Sequence, residues 1–296
     1  FFFCQNSMSE ELKTVVIDNG AGYIKAGMAG NEYPSSVLPT VIGHSKFLDP
    51  KNVTPRNQVI GEEAIARVGS LKLEHPINHG IIQNWDDMVT IWDYLFKNEL
   101  RVNPSDISVV IADTAQAPRI HREKIIQIMF ETFNVQHFYV QDQSKLSLYA
   151  AGRTTGVVLQ IGEDVSIASP MYEGNTVPQA YQKANIGGRD IDEYLIRILT
   201  ECGYFLTTSE EKEMARDIKE KYGYVALDYD KEFQKSGELD VSYETSQGKT
   251  IKISSERFRC TELLFKPTLF SGREEVGVDD LLYNSITKCD EDTQKD

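Results

Sequence analysis

The sequence predicts an α/β protein built from two related halves. Three observations carry this. Residues 14–25 (TVVIDNGAGYIK) and 156–167 (GVVLQIGEDVSI) both run from apolar β-formers through a polar residue into a glycine turn, then back into β-formers. Segments of helical spacing follow each copy, so the order hairpin, helices, hairpin, helices reads as an internal duplication. The chain has 296 residues and is 41% apolar, ample for a large core and long enough for two domains or one large one.

Along the chain, TVVID, the turn NGAG and YIKAGMA (14–29) read as a β-hairpin. Residues 43–58, mixing Pro, Gly, Asn and charge, read as a long exposed loop. Helical spacing over 84–100 puts Met88, Ile91, Trp92 and Leu95 on one face. SVVIAD (108–113) reads as a buried strand. In 121–133 the spacing predicts an amphipathic helix burying Ile125, Ile126, Met129, Phe130 and Phe133. A more apolar helix over 146–152 ends on Gly152, a common C-terminal stop.

The second hairpin follows. A helix over 189–203 has Asp190 as its cap with Glu193 three residues on, and one over 207–223 opens on the capping box Thr208–x–x–Glu211 and stops at Gly223. Residues 241–254 read as a hairpin with a Gln-Gly turn, and 278–292 as a helix.

Bulk properties exclude several classes. A net charge of −14 and a pI near 4.9 argue against nucleic acid, which needs a basic face, and against anionic membranes. The excess acid reads as solubilising. No apolar run approaches a membrane span. Cys4, Cys202, Cys260 and Cys289 are scattered, with no disulfide or metal spacing, which fits a reducing intracellular compartment. His75 and His79 are four apart, but Pro76 argues against a helical metal pair. Phe1–Ser7 reads as upstream sequence ahead of Met8.

The glycine turns suggest chemistry. Gly20-Ala21-Gly22 and Gly162-Glu163-Asp164-Val165 let backbone N–H groups converge on a phosphate oxygen. A carboxylate closing the first strand, Asp18, would hold Mg²⁺ directly or through water. The second copy carries Gln160 at the corresponding place, and Asp164 where the first has Gly22.

DNGAGYIKAGMAG (18–30) resembles the first phosphate loop of the actin family. Residues 75–102, 121–134, 146–158, 187–195 (GGRDIDEYL), 216–228 (RDIKEKYGYVALD) and 256–267 (ERFRCTELLFKP) are similar to further actin segments, in actin order, over about Glu10 to Asp296. The resemblance implies two related ribonuclease-H-like domains, of the kind shared with sugar kinases and heat-shock ATPases, around a nucleotide cleft. ATP or ADP with Mg²⁺ (or Ca²⁺) would bind there. The implied division is 8–39 with 76–150 (subdomain 1), 40–75 (subdomain 2, its DNase-binding loop at about 43–58), 151–186 with 275–296 (subdomain 3) and 187–274 (subdomain 4).

Carried over residue by residue, Asp18 organises metal-bound water and Lys25 reaches the β- and γ-phosphates. Gln143 positions the attacking water and meets the metal through water. Gly188, Arg189 and Asp190 match a nucleotide-contacting turn. Arg216, Lys219 and Glu220 match ribose and adenine contacts, on one side of a helix. His79 matches a histidine often methylated in the family, beside which a structural role is the simpler reading.

The departures predict weakened turnover. Ala21 replaces a serine that meets the terminal phosphate, Gln160 an aspartate, Asp164 a glycine, and Ile167 a histidine that helps place water, while Glu163 keeps its acidity. A carboxylate about 5 Å from a phosphate charge costs on the order of 3 kcal/mol. A left-handed backbone at Asp164 would add roughly 1 kcal/mol, and the lost bond at Ala21 roughly 1–3 kcal/mol.

The chain stops at KCDEDTQKD, where the family continues with a strand, an adenosine loop and C-terminal helices, so the resemblance is to a C-terminally incomplete member. Apolar surface of 278–292 is therefore expected to lie exposed. FLDPKNVTPRNQ lacks the family's aliphatic loop tip, and Arg273, Glu274 and Glu275 mark the plug loop, which together point to altered self-assembly. The expectation is a divergent, cytoplasmic actin of the cytoskeleton, joining other actin-family subunits and actin-binding proteins, with weak hydrolysis. The alternative is an actin-related scaffold subunit. A small-molecule kinase would need a general base beside an acceptor pocket, which no motif supplies.

Overall fold

The computed structural model describes residues 13–46, 58–114, 116–238, 240–245, 248–270 and 275–295. The expected leader 1–7, Cys4, most of the 43–58 loop, Gln247 of the Gln-Gly turn, and Arg273 and Glu274 lie outside the described residues. The chain is mixed α/β and divides into two compact units. One is the chain up to Ala64 with Glu74–Ala151; the other is Ile65–Leu73 with Gly152–Asp296.

In the first unit, β1 (Thr14–Asn19) and β2 (Tyr23–Met28) form the expected hairpin, and β3 (Ser36–Pro39) extends it to a three-stranded meander. β4 (Ile42–Ser45) pairs antiparallel with β5 (Gln58–Ile60), so residues 42–45 are strand where the sequence reading expects loop from 43. Alternation decides it: Ile42 and Ile60 are buried partners in that ladder. The helix α1 (Glu62–Ala66) and the strand β6 (Leu71–Glu74) carry the chain through residues 65–73 of the other unit, and the short pair β7 (Ile77–Asn78) and β8 (Ile81–Ile82) belongs again to the first.

α2 (Trp85–Tyr94) is capped by Asn84, whose side chain accepts from the Asp87 N–H, and continues as a π turn over Leu95–Glu99. Met88, Ile91, Trp92 and Leu95 are all fully buried, as their spacing predicts. β9 (Ser108–Asp113) and β10 (His137–Asp142) run parallel to β1, giving the sheet order β10-β9-β1-β2-β3.

α3 (Arg119–Glu131) is narrower in its buried stripe than expected. Ile125, Ile128 and Met129 are buried, with Phe133 just beyond, but Ile126 is 40% and Phe130 44% exposed. At 100° per residue, positions 126 and 130 rotate off the face set by 125, 128 and 129, and Phe130 packs edge-to-face with Phe138. α4 (Gln143–Ala150) starts three residues before its expected apolar run, because Asp142 caps it by accepting from the Ser144 N–H. Only Ser144 and Leu148 of that helix are buried. It stops as expected at Gly152, whose φ of 70° only glycine adopts cheaply.

In the second unit, β11 (Gly156–Ile161) and β12 (Ser166–Tyr172) form the second hairpin. β13 (Asn175–Thr176) and β14 (Gln182–Ala184) both add to β12. β11 pairs only with β12 among the described residues, unlike β1, and leaves Val157 and Ile161 exposed. α5 (Gly188–Glu201) buries Ile191, Tyr194, Leu195, Ile198 and Leu199.

The cap of α5 differs from the sequence reading. Gly187 is the N-cap and Asp190 sits at the third helical position, accepting from the Gly187 N–H at 2.8 Å; Glu193 takes no part. The extra turn arises because the helix begins at Gly188. α6 (Ser209–Tyr222) has both halves of the predicted capping box and stops at Gly223. α7 (Tyr229–Gln234), the hairpin of β15 (Val241–Glu244) with β16 (Thr250–Ile253), and α8 (Glu256–Arg259) follow.

α9 (Val278–Thr287) is shorter than the predicted 278–292. Its inner face is covered: Val278, Leu281 and Ser285 are buried, and Ser285 Oγ donates to the Ala180 carbonyl at 2.8 Å. The expected exposure holds only for Tyr283 and Ile286 on its outer face. Each unit has its own core, around Ile17, Ile24, Trp92, Phe96 and Ile111 in the first, and Ile186, Leu195, Ile198, Ile253 and Leu263 in the second.

Candidate functional site

In the first unit, three predicted residues meet at the carboxyl ends of parallel strands. Asp18 and Lys25 are cross-strand partners in the β1–β2 ladder, and Lys25 Nζ lies 3.6 Å from Asp18 Oδ2. Gln143 opens the helix that leaves β10, and its Nε2 donates to Asp18 Oδ1 at 2.8 Å. Parallel pairing sets this meeting, since β9 holds β1 and β10 in register with their ends level. Burial raises the Asp18 carboxyl above its usual range, while Lys25 and Gln143 pull it back. A half-buried carboxylate, an amide and an ammonium suit a hydrated Mg²⁺ beside phosphate oxygens. Asp18 and Gln143 would hold that ion through water, and it would neutralise charge on the phosphates.

The turn between the strands is held from behind. Thr40, fully buried, donates through Oγ1 to the Gly20 carbonyl at 2.7 Å and through its N–H to the Gly22 carbonyl at 2.9 Å. Trp92 Nε1 donates to Asn19 Oδ1 at 3.1 Å. Gly20 has no room for a side chain, because a Cβ would lie 2.6 Å from the Tyr23 carbonyl oxygen. Ala21 is almost fully buried and carries no hydroxyl.

The second unit repeats the device with other residues. The Gly188 N–H donates to the Gly162 carbonyl at 2.9 Å, and the Arg189 N–H to the Glu163 carbonyl at 2.7 Å. Across the turn, the Gly162 N–H reaches the Val165 carbonyl. In both units, then, the segment after the third meander strand latches onto the hairpin turn. Gly187 packs against the backbone of residues 162–164. The first amides of α5 are thereby engaged with the protein itself, and Asp190 is occupied by its cap.

Arg216, Lys219 and Glu220 lie beside this turn. Arg216 Nη2 is 3.9 Å from Glu163 Oε2, and its Nε is 3.1 Å from Glu220 Oε1. Lys219 Nζ donates to the Gly188 carbonyl at 3.0 Å and pairs with Asp192 at 2.8 Å. Burial lifts the Asp192 carboxyl to about 6, against the pull of Lys219. The predicted residues 162–165, 188–190, 216, 219 and 220 therefore form one group in the second unit.

A sequence-family model described as actin matches residues 9–296. The chain belongs to the actin family.

Several residues around these actin-family motifs carry no sequence signal of their own. Thr40 acts on the first turn from 20 positions away, and Trp92 holds Asn19 of that turn from 73 positions away. Asp192 meets Lys219 from another helix. Gly187 was the legible one, since the pair Gly187-Gly188 stands directly before a helix.

At Asp164 the expected backbone strain is absent. Among the described residues, only His79, Arg101, Asn134 and Glu173 combine a side chain with positive φ. Asp164 is instead buried, at 3% exposure, in an ordinary backbone conformation. The turn closes by the Gly162–Val165 bond without a left-handed residue. Among the described residues, no helix is long and apolar enough to cross a membrane.

Proposed function

We propose that this actin-family chain is a divergent actin that binds ATP or ADP with Mg²⁺ or Ca²⁺ and hydrolyses ATP weakly. In this reading it comprises two related ribonuclease-H-like halves, divided as the resemblance implies, and it forms or joins actin-type filaments of the cytoplasmic cytoskeleton. Asp18, Gln143, Lys25 and the turn Gly20–Gly22 serve the metal and phosphates. Gly162–Val165, Gly188–Asp190, Arg216, Lys219 and Glu220 serve the rest of the nucleotide.

The observation that carries the reading is the group at Asp18, ion-paired with Lys25 and hydrogen-bonded by Gln143. Weak hydrolysis follows from the matching place in the second hairpin. There the cross-strand partners are Gln160 and Ile167, where the first hairpin pairs Asp18 with Lys25. An amide and a buried alkyl chain bring no negative charge to the metal and no base to take a proton from water.

Calorimetry with ATP and Mg²⁺ tests binding, and absence of heat overturns the proposal. Single-turnover ATP hydrolysis tests the second part: a rate equal to that of conventional actin refutes it, as does Gln160→Asp with Asp164→Gly leaving the rate unchanged. The same Gln160–Ile167 pair favours one alternative, an actin-related scaffold that holds nucleotide without turnover. Sedimentation in polymerising salt separates the two, since a filament former pellets and a scaffold stays in solution.

A further inference from the structure

We infer that His44, Glu74 and Asp87 form a binding site for a divalent transition-metal ion of the zinc type, separate from the nucleotide-linked Mg²⁺. One ligand atom of each lies within 4.8 Å of the others, and all three residues belong to the first unit. His44 Nε2 is 3.2 Å from Asp87 Oδ2. Two ligands on one tetrahedral zinc ion, each about 2.0–2.1 Å from it, stand roughly 3.3 Å apart. The imidazole and carboxylate are thus already spaced as the edge of such a site, and Glu74 closes the third corner by a small side-chain shift.

The donor set selects the metal class. One imidazole with two carboxylates suits Zn²⁺ and its first-row neighbours, whereas Mg²⁺ and Ca²⁺ take oxygen ligands alone. With three protein ligands, the fourth position falls to water.

The ligands are set on fixed supports. Asp87 sits in the first turn of α2, its side chain 5% exposed. Asn84 holds it twice, donating from Nδ2 to Asp87 Oδ2 at 2.8 Å and accepting from the Asp87 N–H at 3.2 Å. Such outer partners orient a ligand and typically alter metal affinity 10- to 100-fold. His44 lies near the end of β4, and Glu74 ends β6.

One term opposes binding. The N-terminal end of α2 carries the positive end of the helix dipole, which disfavours a cation. Two carboxylates outweigh that. Bound metal would tie β4, the end of β6 and the start of α2 together.

The test uses the whole chain without nucleotide, titrated with Co²⁺ and then Zn²⁺. One equivalent of Co²⁺ is expected, with visible d–d bands of nitrogen and oxygen ligation, no thiolate charge-transfer band, and displacement by Zn²⁺. His44→Gln, at a partly exposed strand end, should abolish the bands while far-UV circular dichroism is unchanged. Glu74→Gln should weaken uptake at least tenfold. Asp87→Asn also disturbs the α2 cap, so His44→Gln is the deciding variant. Absence of stoichiometric Co²⁺ uptake by the natural chain overturns the inference, as does undiminished uptake by folded His44→Gln.

Discussion

Replacing Gly187 by alanine should loosen the second glycine turn, whereas the same change at Gly188 should not. A Cβ at Gly187 would lie 2.6 Å from three backbone atoms, the Asp164 nitrogen, the Glu163 carbonyl carbon and the Gly162 oxygen. None of these yields without moving the turn or the start of α5. The backbone of Gly187 is extended, with φ of −164°, so the cost is steric and not conformational. Separation would break the Gly188–Gly162 and Arg189–Glu163 bonds. Each is worth about 1 kcal/mol net, and overpacking adds about 1–3 kcal/mol.

A loss of about 3–5 kcal/mol is therefore expected, a large share of a typical stability of about 5–15 kcal/mol. At about 2–4 °C per kcal/mol for a domain of 150–250 residues, Tm should fall by about 6–20 °C. A Cβ at Gly188 comes tightest to Glu163 Oε2 at 3.0 Å and Lys219 Nζ at 3.3 Å, the far ends of flexible side chains, with the Glu163 Cα at an ordinary 3.7 Å. Gly188→Ala should cost less than about 1 kcal/mol, helped by the better helix propensity of alanine. Urea unfolding followed by circular dichroism reads both. Equal losses for the two variants, or no loss for Gly187→Ala, would refute the packing argument.

Three further outcomes follow. Burial raises the Asp192 carboxyl to about 6, so the folded state holds its proton longer than the unfolded chain does. Stability from this group is full below about pH 4 and is lost as pH rises through 6, by about 2–3 kcal/mol. The difference in unfolding free energy between the natural chain and Asp192→Asn should fall over that window, and a flat difference would exclude the effect. Thr40→Val keeps the shape but removes the Oγ1 bond to Gly20, so urea unfolding should show a loss of about 1–2 kcal/mol; an unchanged midpoint would remove Thr40 from the turn's support. Burial pushes the Cys260 thiol up to about 12, while Cys202 is exposed. Mass-mapped alkylation of the native protein should therefore modify Cys202 well before Cys260, and equal rates would contradict the burial.

Two of the differences between sequence pattern and fold come from contacts distant along the chain. The buried stripe of α3 is narrower than its pattern implies, because periodicity says which residues share a face but not how far a neighbouring sheet extends over it. The strand at 42–45 has loop-like composition, and its pairing with 58–60 leaves little local trace. The cap of α5 falls at Gly187 and not at Asp190 for a local reason, since a glycine carries no side-chain oxygen to mark a cap.

The amino-acid order by itself determined both hairpins, the buried face of α2, the capping box of α6, the stops at Gly152 and Gly223, and the family to which the chain belongs. These rest on periods of two and 3.6 residues and on turn chemistry, all of which operate within a few residues. Tertiary structure alone decided that Gln143 reaches Asp18 across 125 positions, that Thr40 braces the first turn, and that His44, Glu74 and Asp87 converge. Sheet register and helix packing bring those groups together, and neither leaves a pattern in the neighbouring residues.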